Sequence, residues 1–308
     1  MNIEPTERRS ELIAANPLLS RYSPLPRILC FDNFDEGVNG WCELIGNHDG
    51  NLDRVRPVQG DMRPPQLSTC TFFDIGTHGV VTGNYALKLQ TRPKPGHMAL
   101  AIKRLTFARP GIVQLETYFT FKSEAWHGTR REAGSFDGNI DPSLSDFGDF
   151  CISNDLSDGR RRAHCCVRYS NTNARGELVQ KWQVKTSVQT TTKMEMRGDA
   201  PVAYDYHVRD PDDWVDVPDG DQTFCYNEIP TKINWHYLRW QFDTRSLRNV
   251  VMQVNDKVLD LTGLDVPRYP EGYYLGLSNM LNLSLDVRTH RPVRNFIFFD
   301  SILTSVDW

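Results

Sequence analysis

The chain has 308 residues, of which 39% are hydrophobic and 24% charged, and its formal net charge is −4. A chain of this length can bury a large core without disulfides or metals, and no basic excess marks it for nucleic acid or anionic lipid. No apolar run is long enough to cross a bilayer, so membrane and nucleic acid are not expected partners.

The N-terminus, MNIEPTERRSELIAANPLL, mixes acids, bases and polar residues and has no apolar run of the kind a secretory signal carries. Seven cysteines are scattered, Cys165 and Cys166 side by side, with no CxxC or Cys/His zinc spacing. The odd count and the missing leader predict reduced thiols and a cytoplasmic location.

Residues 6–15 read as a short helix, with Thr6 as its cap, Leu12 and Ile13 as a small apolar stripe, and Asn16-Pro17 as its end. Pro24 and Pro26 then give an extended lead-in, so residues 1–27 are expected to form an arm on a main domain spanning 28–308. Strands are predicted at 28–34, 84–91, 98–107, 111–122, 164–170, 178–186, 235–243, 249–255, 273–279 and 295–304. These segments are short, rich in aromatic and β-branched residues, and separated by Gly, Pro, Asn and Asp clusters. Alternation is plainest over 111–122. There Val113, Leu115, Thr117, Phe119 and Phe121 point one way, and Gln114, Glu116, Tyr118, Thr120 and Lys122 the other. Leu238, Trp240 and Phe242 are expected to join Leu115 and Phe119 in the core. Sustained helical periodicity is absent, which argues against α/β barrels and Rossmann folds. Residues 128–162 and 187–222 are polar, Gly- and Asp-rich, and read as long loops. The acid-rich stretch 210–221 reads as a solvated turn on Pro218-Asp219-Gly220.

Three segments carry a resemblance: FDNFDEGVNGW at 31–41, NWHYLRWQFDTRSLRNVVMQVNDKVLDL at 234–261, with a hairpin closed at Asn255-Asp256, and FIFFDSILTS at 296–305. Together they resemble bacterial domains of the concanavalin A-like lectin/glucanase superfamily, and within it an uncharacterised family. The resemblance implies an all-β, two-sheet antiparallel jelly-roll sandwich with a short N-terminal helical arm and long loops. It implies a glycan ligand on a concave sheet face. It brings no catalytic residues: the Glu-x-Asp-x-x-Glu strand of the retaining glucanases is absent, as are the Arg-x-Glu-x-x-Arg-like and Gln-x-His strands of jelly-roll alginate lyases.

On that reading one polar sheet face is expected to gather Gln114, Glu116 and Tyr118, then His164 and Arg168, then Lys181, Gln183 and Lys185, then Trp235, Tyr237, Arg239 and Gln241. Aromatic rings stack on sugar faces, while amides, carboxylates and guanidinium groups read hydroxyls. The cations would favour an anionic sugar. Glycoside cleavage needs two carboxylates, about 5–5.5 Å or about 6.5–9.5 Å apart. Glu116, on a strand, and Glu228, on a loop, are the candidates, with Tyr118 beside them. Arg168, Lys181, Gln183, Trp235, Tyr237 and Arg239 are the expected ligand contacts. A glycoside-cleaving enzyme is the leading expectation. A non-catalytic sugar-binding protein and a uronate lyase are the alternatives; in the last, Arg168 or Arg239 would neutralise the carboxylate, and Tyr118, His164 or Tyr237 would move the proton. No cofactor is required on any of these readings. Asp32, Asp35 and Asp300 are a candidate structural calcium site, since the first and last strands of this fold are neighbours by analogy.

Overall fold

The computed structural model describes residues 5–43, 63–70, 79–124, 146–187, 189–197, 199–208, 214–225, 233–269 and 278–308. The chain opens with helix α1 (Pro5–Ala15) and strand β1 (Arg27–Asp32). The strands β2 (Cys42–Glu43), β3 (Gln66–Ser68), β4 (Ala86–Gln90), β5 (Met98–Thr106) and β6 (Ile112–Ser123) follow. Next come β7 (Asp149–Ser157), β8 (Arg162–Ala163), β9 (Cys166–Thr172), β10 (Leu178–Lys185), β11 (Gln189–Arg197), β12 (Ala200–Val208) and β13 (Trp214–Asp221). The chain closes with β14 (His236–Asp243), β15 (Arg248–Val254), β16 (Lys257–Asp260), β17 (Met280–Arg288) and β18 (Asn295–Val306).

The strands form two antiparallel sheets packed as a jelly-roll sandwich. The first runs β16-β15-β14-β6-β18-β4-β3, with β1 also paired to β18; the second runs β13-β10-β9-β7-β17-β5-β2, with β8 paired to β7. Strands β11 and β12 make a separate two-stranded ribbon. The core between the sheets holds Leu115, Phe119, Leu238, Trp240 and Phe242 from the first, and Phe150, Tyr169, Trp182, Leu281, Leu283 and Leu285 from the second. The first-sheet members are those the alternation predicts, because a period of two sends every second side chain to one face.

Two expectations need correction. Residues 128–162 are not all loop: β7 lies within them and is a central strand of the second sheet. Its sequence, DFCISNDLS, has one β-branched residue, so its strand character comes from pairing with β17 and β9 rather than from propensity. Residues 187–222 are likewise not a loop: they hold the ribbon β11-β12 and, at 214–221, an edge strand on β10 rather than a solvated turn. The predicted strand at 273–279 falls largely outside the described residues, and the strand there, β17, begins at Met280. The Asn255-Asp256 hairpin stands as expected. Val254 pairs with Lys257 across a two-residue turn, and Asn255 takes the left-handed conformation at φ 54°. All seven cysteines are free thiols. No described helix is long and apolar enough to cross a membrane.

Candidate functional site

Each sheet has one face in the core and one turned outward, so the molecule offers two outer faces on opposite sides. The expected site residues divide between them. Glu116, Tyr118, Tyr237 and Arg239 lie on β6 and β14 of the first sheet; Arg168, Lys181 and Gln183 lie on β9 and β10 of the second. The single face expected to unite them does not exist. Alternation fixes which way a side chain points within its strand, but not which sheet the strand joins. Glu228 lies outside the described residues.

On the first sheet, β6 and β14 pair so that Glu116 stands opposite Arg239, and Tyr118 opposite Tyr237. The N-terminal arm crosses this face. Ser23 N–H donates to Glu116 Oε1 at 2.8 Å, and Gln114 Nε2 donates to the Ser23 carbonyl at 2.9 Å. Tyr237 O–H donates to the same Glu116 oxygen at 2.6 Å, while Gln114 Nε2 reaches Oε2 at 2.8 Å. Glu116 is fully buried. Tyr22 of the arm packs edge-on against Tyr118, with ring centres 5.9 Å apart, and the Leu25 N–H donates to Ser305 Oγ at 3.0 Å. Burial, then the Glu116 charge, holds the Tyr237 hydroxyl well above its ordinary range, so it serves as a neutral donor. Trp235 precedes β14; its Nε1–H donates to the Gly79 carbonyl at 2.6 Å, and its ring packs on the small cluster of Cys70, Ala86 and Phe298.

The three acids weighed for calcium are engaged by separate donors. Asp32 takes Lys103 Nζ at 2.6 Å on both oxygens and Trp41 Nε1–H at 2.9 Å. Asp35 accepts the Asn84 and Tyr85 amides at 2.6 and 3.2 Å. Asp300 accepts the amides of Val81 and Thr82. Among the described residues no three His, Cys, Asp or Glu groups are placed to hold a metal.

The outer face of the second sheet is built in transverse rows, because antiparallel partners share a face. One row runs Leu100, Asp286, Cys151, Arg168, Gln183, Asp216 across β5, β17, β7, β9, β10 and β13. Beside it runs Met98, Arg288, Asp149, Ser170, Lys181, Asp221. Cys151, Ser153 and Asp286 in the middle are buried, whereas Lys181 and Asp216 at the β13 margin keep 36% and 50% side-chain exposure. The Arg168 guanidinium lies over the Trp214 ring at 4.1 Å, and Lys185 Nζ reaches the same ring at 5.6 Å. Gln183 Oε1 accepts from Arg168 Nη2 at 2.6 Å and Nε at 3.1 Å. Gln183 Nε2 donates onward to Asp216 at 2.7 Å, which also takes Lys181 at 3.1 Å. These contacts, that from Gln183 first, hold the Asp216 carboxyl below its usual range against a smaller opposing effect of burial.

Asp149 pairs with His290 Nε2 at 2.9 Å. Burial favours its neutral form, but the His290 hydrogen bond and the charges of Arg288 and Arg168 outweigh that, so it stays ionised to lower pH than usual. Asp155 behaves alike. Burial opposes ionisation, and His164 at 3.0 Å with the two-point Arg162 contact at 2.6 and 2.8 Å more than reverses it. Tyr269 O–H lies 3.1–3.2 Å from the His164 ring nitrogens, under the Arg162 guanidinium.

Trp214, Asp216, Asp149, Asp286 and His290 were not singled out from the sequence. Asp286 had a usable signal: Leu281, Leu283, Leu285 and Val287 alternate with Asn282, Ser284, Asp286 and Arg288.

The chain belongs to the family described as "Domain of unknown function (DUF6772)", whose model matches residues 9–308. No curated protein matches it. Its fold is similar to a lectin from Bauhinia forficata solved with GalNAc, at 10% identity and a TM-score of 0.34, over 79% of this chain and 99% of the lectin. A structure reported under endo-acting O-glycanases of the human gut microbiota is similar at 11% identity and a TM-score of 0.40, covering 91% and 99% of the two chains. The Emp46p carbohydrate recognition domain is similar at 9% identity and a TM-score of 0.34, covering 79% and 99%. Likeness at this level concerns strand arrangement and is silent on ligand and chemistry.

Proposed function

We propose that the chain is a carbohydrate-binding protein whose sugar lies on the outer face of the second sheet, at the margin formed by β9, β10 and β13. The observation that carries this reading is the Trp214 ring with Arg168 stacked on it and Gln183, Lys181 and Asp216 alongside. Flat apolar surface beside amide, carboxylate and guanidinium groups is what a pyranose needs for stacking and hydroxyl recognition. Binding is preferred over glycoside cleavage because three carboxylates of this face already serve neighbours: Asp149 lies against His290, Asp155 serves Arg162 and His164, and Asp216 serves Gln183 and Lys181. Glu116 lies on the opposite face, its carboxylate held by the arm, Tyr237 and Gln114.

A glycan array probed with the purified protein tests this. Retention of a defined set of glycans, lost in Trp214→Ala, supports it; an array with no retained glycan contradicts it. A second reading, a uronate lyase, is favoured by His164 between Asp155 and Tyr269. Such a protein would generate the ultraviolet absorbance of an unsaturated uronate from its substrate, and His164→Ala would abolish it.

A further inference from the structure

A guanidinium has two edges able to take a two-point acceptor. One is formed by Nε and a terminal nitrogen, the other by the two terminal nitrogens. In Arg168 the first edge is closed by Gln183 Oε1. Among the described residues no carboxylate lies within ion-pairing distance of Arg168 and nothing accepts from Nη1. Burial acts most strongly on it and, with the charge of Arg288, lowers its pKa from the ordinary value, while Asp149 and Asp286 act only as more distant charges that favour its ionised form. Its plane is fixed by Trp214, and its clamp is oriented in turn, since Asp216 holds the Gln183 amide with Oε1 towards Arg168. A partly buried arginine is usually matched by a carboxylate. Here the clamp is a neutral amide, which orients the guanidinium without neutralising it.

We infer that Arg168 presents its terminal edge to a carboxylate on the bound sugar, so that the ligand is an acidic saccharide, a uronate or a sialate. This rests on the carbohydrate reading above and narrows it to one substrate class. The residues divide the work. Arg168 grips the carboxylate through Nη1 and Nη2, Trp214 backs the guanidinium and borders the ring, and Gln183 and Asp216 position Arg168. Asp149 lies against His290, 2.9 Å from its Nε2, and reaches Arg168 only as a more distant charge.

The test is calorimetric titration with a panel of uronate- and sialate-containing oligosaccharides, each beside its methyl ester, and with inorganic sulfate. The unmodified protein is compared with Arg168→Gln and Gln183→Glu. The acid form is expected to bind at least about tenfold more tightly than its ester, the size of a charge-assisted hydrogen bond. Arg168→Gln removes that preference. Gln183→Glu weakens the acid form alone, because the new carboxylate neutralises the guanidinium that Gln183 now only orients. Thermal unfolding of each variant shows whether the fold is intact. Equal binding of acid and ester, or a preference that survives Arg168→Gln, overturns the inference and leaves the carbohydrate reading standing. Sulfate binding lost in Arg168→Gln with no saccharide bound keeps the anion site and removes the sugar. If neither saccharide nor sulfate binds, both fall.

Discussion

The two outer faces of this sandwich differ in how their polar groups are satisfied. On the first sheet the arm completes a set of partners that the strands begin. Glu116 accepts from Ser23, Tyr237 and Gln114, and Tyr118 is packed edge-on by Tyr22. On the second sheet the partners come from the strands themselves, and among the described residues the terminal edge of Arg168 has no acceptor, as the buried Nε of Arg239 has none on the first. Polar residues on a strand therefore have two different meanings. One set is a socket for the protein's own chain, closed by hydrogen bonds that hold the arm; the other is a surface that stops one partner short of completion. A buried carboxylate with three donors is a stability element, while an oriented cation without a counter-charge is a recognition element.

The largest expected effect ignores this distinction. Trp240 is buried between the sheets and its Nε1–H donates to Asn249 at 3.0 Å, so Trp240→Ala should cost about 3–5 kcal/mol in urea unfolding and weaken both faces together. Next comes Glu116→Ala, which leaves the Ser23 amide and the Tyr237 hydroxyl without their acceptor. It should cost about 1–3 kcal/mol and increase proteolysis of the arm before the body. Sugar affinity at the second face should be unchanged, and a large loss there would mean that the faces are coupled. Smaller still, Arg168→Gln should move stability by less than about 1 kcal/mol, since no ion pair is broken, while changing ligand selection.

Acid separates the faces as well. Asp149 and Asp155 titrate below the ordinary carboxylate range in the folded protein. Each therefore contributes stability that is present above about pH 4 and lost as pH falls towards its folded value. Asp300, on the first sheet, is raised by burial, against the opposing hydrogen bonds of Thr82, Val81 and Ser301. Its sign is opposite: the contribution is full below the ordinary carboxylate value and is lost as pH rises through the folded one. Melting temperature against pH should thus lose part of its acid limb in Asp155→Asn, and show a relative gain at neutral pH in Asp300→Asn. Identical profiles for the two variants would contradict the assignment.

Much of the fold was legible, and the division of the site was not. The alternation in 111–122 and 235–242 placed Leu115, Phe119, Leu238, Trp240 and Phe242 in the core, because side-chain direction is a local property of a strand. Strand β7 escaped notice because Asp149, Ser153, Asn154 and Asp155 have weak strand propensity, and its pairing with β17 joins residues more than 120 positions apart in sequence. Glu116 and Arg168 were grouped because both leave the core, yet β6 pairs with β14 and β18 while β9 pairs with β7 and β10. Non-local pairing decides that, and no local pattern carries it. The contact from Ser23 to Glu116, 93 residues apart, was equally hidden.

The central claim is that ligand meets the second sheet and the arm alone meets the first. Hydrogen exchange of the full chain, with and without an acidic oligosaccharide retained on the glycan array, tests it most directly. Binding is predicted to slow amide exchange in β9, β10 and β13 and to leave β6, β14 and residues 18–26 unchanged. Protection concentrated in β6 and β14, with faster exchange in the arm as ligand displaces it, would contradict the claim.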